Sequence, residues 1–405
     1  MSPKKIRSRQ MRRIAANYIF PITSDPVRNG YVDLADDGTV IGTGRLTEET
    51  GGTEFYNGIL VPGFTNAHCH IELSHLEGKF REATGMSGFI DQINALRESA
   101  PAEERQKAMR RQFEKLYAEG VSAMADISNC DESFAMKSEG PMYTRTFVEV
   151  FGSEPEDAPA VIADARKLVE KASAAGLDAA ITPHSPYTMS PDLLRMASAE
   201  GLNAGFISYH NQESQEEDDM IGFHRGPLYE NYVNRHLSVA PATGKPAVFH
   251  FLDQLQKVHP APFDEHILLI HNTVAREDRI RAAESVLHNC TWVTCPLSNI
   301  FIHRVMADLP LLMSMGVRIA VGTDSLSSNH VLSMVEEFKC IHSHYPQIPL
   351  QTVLTWACLN GAAALGKDSV LGSFEPGKRP GAVLIDAVDF GSMQLTPEST
   401  SRRLL

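Results

Sequence analysis

The sequence lacks an apolar run that could cross a membrane, since no stretch approaches the roughly 18 uncharged apolar residues that a spanning helix needs. The segment IAANYIFPI follows a basic start, but it contains Asn17 and Pro21, and no small-residue cleavage site comes after it. We therefore interpret it as a first β-strand and not as a signal peptide. The six cysteines are scattered and form neither a disulfide framework nor a CxxC metal knuckle. These absences predict a protein of a reducing, cytoplasmic compartment.

Positive charge is also scarce, because 37 Lys+Arg residues stand against 50 Asp+Glu residues, a formal net charge of −13. This balance argues against nucleic acid or an anionic membrane as the main partner, since both attract a basic surface. The exception is residues 1–13, MSPKKIRSRQMRR, which we expect to be a solvated and disordered start.

The middle of the chain alternates apolar, strand-like runs with amphipathic, helix-like runs, which is the signature of a parallel α/β sheet. Eight strand-like runs can be counted, from GFTNAHCHIE at the first to RIAVGTDSL at the eighth. Eight βα units predict a closed TIM-type (β/α)8 barrel over residues 61–369. Residues 14–60 and 370–396 show short strands and turns instead. Neither end could bury a core alone, so we expect the two to pair as one small composite β-sandwich beside the barrel.

Nearly every predicted strand carries a group capable of chemistry at or just past its carboxyl end. In chain order these groups are His68 and His70, Asp126, Glu149, His184, His210 with Glu213, His271, Ser298 and Asn299, and Asp324. Buried parallel strands are otherwise near-continuous apolar runs. In barrels of this kind the carboxyl ends of the strands hold the active site.

Four of these side chains have the chemistry of a metal site. His68 and His70 lie two apart on one strand and point to the same face. Asp324 ends the eighth strand, which neighbours the first once a barrel closes, and His210 ends the fifth strand across the mouth. Three histidines and one aspartate make a plausible site for a single Zn²⁺ or Fe²⁺ ion with room for a water molecule.

Two further side chains could act on a substrate at that metal. Glu213 follows His210 as H-x-x-E, where a carboxylic acid could protonate a ring nitrogen. His271 ends the sixth strand and could orient the attacking water or polarise the reacting carbon.

At this point the sequence resembles a family. The motifs PGFTNAHCH, PHSPYTMS, SYHNQES, LLIHNT, CPLSN and VGTDSL look like the ordered signature of the amidohydrolase superfamily. The likeness covers nearly the whole chain. It is strongest to the mononuclear-metal branch, which deaminates nucleosides, aminofutalosine, S-adenosylhomocysteine and related heterocycles and dechlorinates triazines. No lysine ends the fourth strand, where the binuclear relatives carry one, so a single metal is the better interpretation.

The resemblance implies a role for each of these residues. It makes His68, His70, His210 and Asp324 the ligands of one divalent metal ion, with zinc expected and iron as the alternative. It implies hydrolytic deamination of a purine-like or other N-heterocyclic amine, an adenosyl compound among the candidates, by hydroxide generated at the metal. Glu213 would protonate the ring nitrogen, His271 would stabilise the hydroxide, and Asp324 would carry the water proton to the leaving ammonia. The expected partner is thus a small-molecule substrate, and homo-oligomerisation is left open.

Four residues are expected to contact the substrate. His184 resembles a substrate-contacting histidine of the adenosyl-type deaminases, although the flanking Pro183 and Pro186 could simply shape a loop. Glu72 alternates with His70, so it could face the pocket or pair with a basic residue at the rim. Asn299 and Ser325 could position the substrate or support the site.

Other polar features have plainer interpretations. Asp126 and Glu149 are expected to be structural. The acidic run ESQEEDDM after Glu213 is expected to be a solvated helix face, with a lid formed by residues 214–236 as the alternative.

Two alternative functions remain. The same fold could hydrolyse a different bond, such as the C–N bond of an imidazolone ring or a C–Cl bond. A barrel that has lost catalysis and only binds a ligand is disfavoured by the complete ligand set.

Overall fold

The computed structural model describes residues 11–47 and 51–405. Residues 1–10 of the basic segment lie outside this part of the chain, whereas Arg12 and Arg13 already belong to the first strand. Within the described residues, no helix is both long and apolar enough to span a membrane.

The amino-terminal part forms four strands: β1 (Arg12–Ile19), β2 (Val27–Leu34), β3 (Val40–Arg45) and β4 (Thr53–Pro62). The predicted first strand is therefore present and begins two residues before position 14. The predicted boundary between the composite β-sandwich and the barrel, between residues 60 and 61, falls inside β4.

Eight short strands follow in the middle of the chain: β5 (Phe64–Cys69), β6 (Val121–Ser128), β7 (Tyr143–Val150), β8 (Asp178–Pro183), β9 (Phe206–Asn211), β10 (His266–His271), β11 (Cys290–Thr294) and β12 (Ile319–Val321). They form two four-stranded parallel sheets with the orders β5-β6-β7-β8 and β9-β10-β11-β12. The predicted α/β class with parallel strands is confirmed.

The two parallel sheets adjoin along both of their outer edges. At one junction, the carbonyl oxygen of His68 accepts hydrogen bonds from the backbone N–H groups of Thr323 and Asp324, both at 3.0 Å. At the other junction, the backbone N–H of His210 donates to the carbonyl oxygen of His184 at 2.9 Å. Gly322 allows the first approach, because a Cβ atom there would lie 2.8 Å from His68.

Helices fill the connections between these strands. They are α1 (Gly85–Leu96), α2 (Ala102–Ala118), α3 (Phe134–Glu139), α4 (Ala158–Ala174), α5 (Pro191–Ala204), α6 (Gln215–Phe223), α7 (Gly226–Asn234), α8 (Ala247–Val258), α9 (Glu277–Glu284), α10 (Pro296–His303), α11 (Leu309–Ser314), α12 (Met334–His344), α13 (Leu350–Thr355) and α14 (Gly361–Ala364). Short 3₁₀ turns span Ile71–Leu76 and Pro155–Asp157, and a π-helical turn spans Trp356–Asn360. In the helix that follows the fourth parallel strand, α5, the Ser190 hydroxyl caps the first turn and Pro191 is the first residue.

The main apolar core lies between the parallel strands and the helices. Helices α2, α5, α8 and α12 contribute Phe113, Leu193, Phe251 and Phe338, all of them buried. This packing buries the strands on their helix-facing side and leaves their carboxyl ends free to carry polar groups.

The last strands are β13 (Ala382–Ile385), β14 (Val388–Asp389), β15 (Gln394–Leu395) and β16 (Ser401–Arg403). The two ends of the chain share one six-stranded sheet in the order β16-β13-β4-β1-β2-β3, in which β13 pairs antiparallel with β4. The ends therefore pair as expected, and β16 extends the sheet past residue 396. The second layer of a sandwich stays a prediction.

Candidate active site

Two histidines and one aspartate converge where β5 and β12 end. The Nε2 atoms of His68 and His70 lie 3.2 Å apart, and they lie 3.7 and 3.6 Å from Oδ1 of Asp324. Two ligand atoms of a tetrahedral zinc ion, each bonded at about 2.0–2.1 Å, are separated by roughly 3.3 Å. The spacing of these three atoms therefore fits a shared divalent cation.

His210, at the end of β9, joins these three residues. We call His68, His70, His210 and Asp324 together the ligand cluster. The ligand atom of His210 lies within 4.8 Å of those of His68 and His70. Its Nδ1 lies 3.0 Å from the carbonyl oxygen of His184. A carbonyl can only accept, so Nδ1 carries the proton and Nε2 is the nitrogen with a free lone pair. Burial lowers the pKa of His68, His70 and His210, so the neutral imidazole that binds metals is favoured.

Asp324 is held in place by two serines. Its Oδ2 accepts hydrogen bonds from the hydroxyls of Ser298 at 2.6 Å and Ser328 at 2.7 Å, which leaves Oδ1 to face the imidazoles. Burial raises its pKa, but a hydrogen bond from His68 and the nearby histidines outweigh burial and hold the pKa of Asp324 well below its usual range. The backbone of Asp324 has φ = +56°, a conformation that non-glycine residues rarely adopt. Such strain persists where the surrounding structure over-determines it, often at functional sites.

Glu213 and His271 face each other beside the ligand cluster. Oε1 of Glu213 lies 3.5 Å from Nε2 of His271, and the Tyr187 hydroxyl donates to Oε2 at 3.3 Å. Glu213 is buried, which raises the pKa of its carboxyl, although the charge of His271 opposes this. A raised pKa suits a carboxylic acid that must donate a proton near neutral pH.

The structure pairs Asn299 with His271 instead of with the cavity. The Asn299 side-chain oxygen lies 2.8 Å from Nδ1 of His271, so that nitrogen donates and Nε2 is left facing Glu213. Asn299 is buried and is absent from the residues that line the cavity above the site. The expectation that Asn299 contacts the substrate is therefore replaced by a supporting position, the alternative that the sequence left open.

The expectation of a solvated helix face for the acidic run after Glu213 was wrong for two of its carboxylates. Glu217 is 0% exposed, and its carboxylate accepts hydrogen bonds from the backbone N–H groups of Gln212 and Glu213, both at 3.0 Å. Asp218 is also buried and pairs with Arg279 at 2.7 Å. Two of these charges therefore point inward and support the loop that carries Glu213. The sequence of the acidic run does not reveal which carboxylates are buried, because their partners are backbone groups and an arginine far away in the chain.

Glu72 does not face the cavity. Strand β5 ends at Cys69, and Glu72 belongs to the 3₁₀ turn after it, so the alternation with His70 is lost. Its carboxylate accepts from Nη2 of Arg97 at 2.8 Å and from the backbone N–H of Asn129 at 2.9 Å. Pairing with a basic residue at the rim, the second option for Glu72, is what the structure shows.

His184 and Ser325 do line the cavity. Nδ1 of His184 lies 2.8 Å from the Ser185 hydroxyl and 2.9 Å from the Thr188 hydroxyl, so its Nε2 is free for a ligand. The Ser325 hydroxyl bonds to that of Ser327 at 2.6 Å. The structure therefore places both residues where a substrate could touch them.

The cavity has a volume of about 470 Å³ and opens over the ligand cluster. Apolar side chains of α1, including Met86 and Phe89, line one wall, and Tyr232 and Arg235 contribute to another. The segment 214–236 forms α6 and α7, whose Met220 and Tyr232 pack in one apolar cluster with Met86. This segment therefore makes part of the cavity wall.

Glu149, expected to be structural, also lines the cavity. Its Oε1 lies 3.5 Å from Nδ1 of His210, and its Oε2 lies 4.0 Å from Nε2 of His184. Burial raises the pKa of Glu149 well above its usual range. By contrast, Asp126 forms a fully buried ion pair with Lys137 and accepts a hydrogen bond from the backbone N–H of Ile71 at 3.0 Å.

Comparison with known proteins matches the same region of the chain. A family described as the Amidohydrolase family matches residues 59–401. The adenosine deaminase of Helicobacter pylori is 28% identical over 331 residues, which cover 80% of this chain and 78% of the relative. The 5-methylthioadenosine/S-adenosylhomocysteine deaminase of Syntrophomonas wolfei is 27% identical over 350 residues, covering 82% of this chain and 73% of the relative.

The fold is shared with a solved structure. The crystal structure of Helicobacter pylori aminofutalosine deaminase superposes with a TM-score of 0.76 at 23% identity, over 94% of this chain and 93% of that one. The family match covers most of the chain, including every residue of the ligand cluster, Glu213 and His271. The chain therefore belongs to the amidohydrolase family and is a hydrolase that acts on carbon–nitrogen bonds.

Proposed function

We propose that this protein is a metal-dependent aminohydrolase that releases ammonia from an amino-substituted N-heterocycle, with adenosine-like nucleosides as the substrate class. The carrying observation is the convergence of the ligand cluster with the facing pair of Glu213 and His271 at one end of a cavity. The names of the two deaminase relatives support the adenosine-like class.

The architecture proposed for this function is a single barrel. The two parallel sheets adjoin at both edges, which supports one (β/α)8 barrel over residues 61–369. The paired strands of both chain ends support a composite domain of residues 14–60 and 370–396 beside it.

One divalent metal ion is proposed for the site, with zinc as the expected ion and iron as the alternative. His68, His70, His210 and Asp324 would hold it, a donor set of imidazoles and a carboxylate that suits either ion. Strand β8, Asp178–Pro183, contains no lysine, which supports one ion instead of two. A metal ion bound here polarises water and lowers its pKa to about 7.

The remaining steps belong to side chains of this chain. Glu213 donates its proton to the ring nitrogen next to the reacting carbon, and the Tyr187 hydroxyl, 3.3 Å from Oε2, helps to hold the carboxyl in place. His271, oriented by Asn299, presents Nε2 to the attacking water. Asp324 accepts one proton from that water and delivers it to the leaving nitrogen. The remaining hydroxyl proton returns to Glu213 as ammonia departs, so that water and the amine yield a carbonyl tautomer and ammonia. His184 and Ser325 contact the bound substrate from the cavity wall.

The test is an ammonia-release screen with the metal-reconstituted protein. The panel contains adenosine derivatives, guanine, cytosine, pterins and triazines, and a chlorotriazine arm is followed by chloride release. Ammonia from adenosine derivatives is the expected result. Chloride without ammonia would favour the C–Cl alternative, and an absence of both products and of bound metal would favour a barrel that only binds.

A further inference from the structure

Glu149 is a buried carboxylate at the cavity whose function the proposed reaction does not use. Resting on the proposed function, we infer that Glu149 and His184 form a recognition subsite for a sugar hydroxyl of a nucleoside substrate. The protein would therefore select nucleosides over free bases through this contact.

The first argument is an unsatisfied acceptor. Oε1 of Glu149 is buried and has no hydrogen-bond partner among the described residues. The nearby Asn129 side chain donates to the main-chain oxygen of Glu149 at 2.9 Å, and its hydrogen bond to the carboxylate only partly offsets the effect of burial on the pKa of Glu149. Buried polar atoms are rarely left unpaired without a functional reason. Oε1 is buried beside Nδ1 of His210, 3.5 Å away, so a donor from an occupant of the cavity that Glu149 lines would reach the other carboxylate oxygen, Oε2.

The second argument concerns which part of the substrate lies there. The His210 ring presents Nδ1 towards Glu149, 3.5 Å away, and its opposite nitrogen to the ligand cluster. The imidazole therefore stands between Glu149 and the position of the reacting carbon. A donor that meets Glu149 belongs to the non-reacting part of the substrate.

The third argument identifies the chemistry of that donor. Nε2 of His184 and Oε2 of Glu149 lie 4.0 Å apart, too far for a direct hydrogen bond but close enough for one atom to bridge them. A hydroxyl can donate to a carboxylate and accept from an imidazole N–H at the same time. A thioether, a methylene or an acceptor-only ring nitrogen would leave the carboxylate unpaired.

A second metal ion at Glu149, His184 and His210 is the competing interpretation, since their ligand atoms also cluster within 4.8 Å. It is disfavoured because Nδ1 of His210, the nitrogen on that side, already donates to the His184 carbonyl oxygen at 3.0 Å. A nitrogen that carries a proton has no lone pair for a metal.

The experiment measures kcat/KM for adenosine, 2′-deoxyadenosine, 3′-deoxyadenosine and adenine with the wild-type protein and with Glu149→Gln. The wild-type protein should prefer adenosine over one deoxy analogue by roughly 10- to 100-fold, as expected for a lost hydrogen bond to a charged group. Glu149→Gln should lose a similar factor on adenosine and change little on that analogue. Glu103→Gln, an exposed residue of α2, is the matched control and should behave like the wild-type protein.

Metal content and thermal unfolding are measured on the same samples. Unchanged metal content in Glu149→Gln supports the inference. Equal losses on all four compounds, or loss of the single ion, would show instead that Glu149 acts by supporting His210. If the wild-type protein binds two metal ions per chain and Glu149→Gln binds one, the inference is overturned, because Glu149 would then be a metal ligand.

The comparison of wild-type rates needs no variant. If adenosine and both deoxy analogues react equally well, the inference fails while the proposed deaminase function stands. If none of the four compounds releases ammonia, the adenosine-like substrate class fails, and the inference fails with it.

Discussion

Two regions of the molecule, the carboxyl ends of the parallel strands and the sheet built from the two chain ends, differ in the side chains that they bury. At the strand ends, Glu213, Glu217 and Asp324 are buried, and His271 and Asp324 adopt positive φ angles. The terminal sheet instead buries an apolar cluster that includes Ile14, Val32 and Leu34. Its strand β1 makes ion pairs at partly exposed positions, such as Arg12 with Glu54. Buried carboxylates are thus concentrated where the proposed chemistry takes place.

Removal of the metal ion should produce the largest contrast between the two regions. Dialysis against a chelator is expected to abolish ammonia release and lower the thermal midpoint, because three neutral imidazoles and a carboxylate then lose their shared cation. An ion present at 1,000 times its Kd would stabilise the fold by about 4 kcal/mol. Turnover and metal content are followed together, and added Zn²⁺ should restore both. Full turnover in the metal-free protein would contradict the proposed site.

Glu213→Gln should reduce kcat by about 10²- to 10⁴-fold, the range expected for loss of a general acid. The glutamine keeps the shape of the side chain and the contact with Tyr187, so metal content and thermal stability should not change. Steady-state kinetics with metal analysis check this. A variant that loses its metal would assign Glu213 to the ligand cluster instead.

Glu217→Ala tests whether a buried carboxylate supports the site from behind. The change leaves two buried N–H groups without acceptors, which should cost about 2–4 kcal/mol of unfolding free energy and also lower kcat. Denaturant unfolding measures the first effect. Glu230→Ala, at an exposed position on α7, is the control that should change neither quantity. If Glu217→Ala changes neither the unfolding free energy nor kcat, this carboxylate does not support the site.

Glu54→Gln in the terminal sheet should have the smallest effect. The hydrogen bond from Arg12 lowers the pKa of Glu54 to about 2, so the ionised form is favoured in the folded state. Its contribution is therefore present above the ordinary glutamate pKa of about 4.3 and is lost as the pH falls towards 2. Because the pair is partly exposed, we expect less than about 1 kcal/mol, visible as a wild-type minus variant difference at pH 6 that shrinks at pH 3. A loss of turnover would show that the two regions are coupled.

Local pattern was sufficient to predict much of the fold and the convergence of His68, His70 and Asp324. Apolar runs and helix signals predicted the parallel strands, and the two-residue spacing of His68 and His70 predicted side chains on one face. Their convergence with Asp324 followed from the order of the strands. These features depend on the period of a strand and on the sheet edge where parallel strands end.

Other features escaped prediction because they depend on distant partners. The alternation with His70 left two options open for Glu72, the pocket or a basic partner at the rim. Only the structure decides between them, because β5 ends at Cys69 and Arg97, 25 positions away, binds the carboxylate. Asp218 looked solvated, but Arg279 from another helix pairs with it. Glu149 gave no signal beyond its place at a strand end.

The sequence by itself determined which residues could meet, because alternation along a strand and the order of strands follow from covalent geometry and burial of apolar surface. Only the tertiary structure decided which charges are buried and what each of them faces. A buried charge needs a partner, and that partner can come from any element that packs nearby. For this reason the convergence of His68, His70, His210 and Asp324 could be predicted from their motifs, whereas the surroundings of Glu149 became visible only in the folded chain.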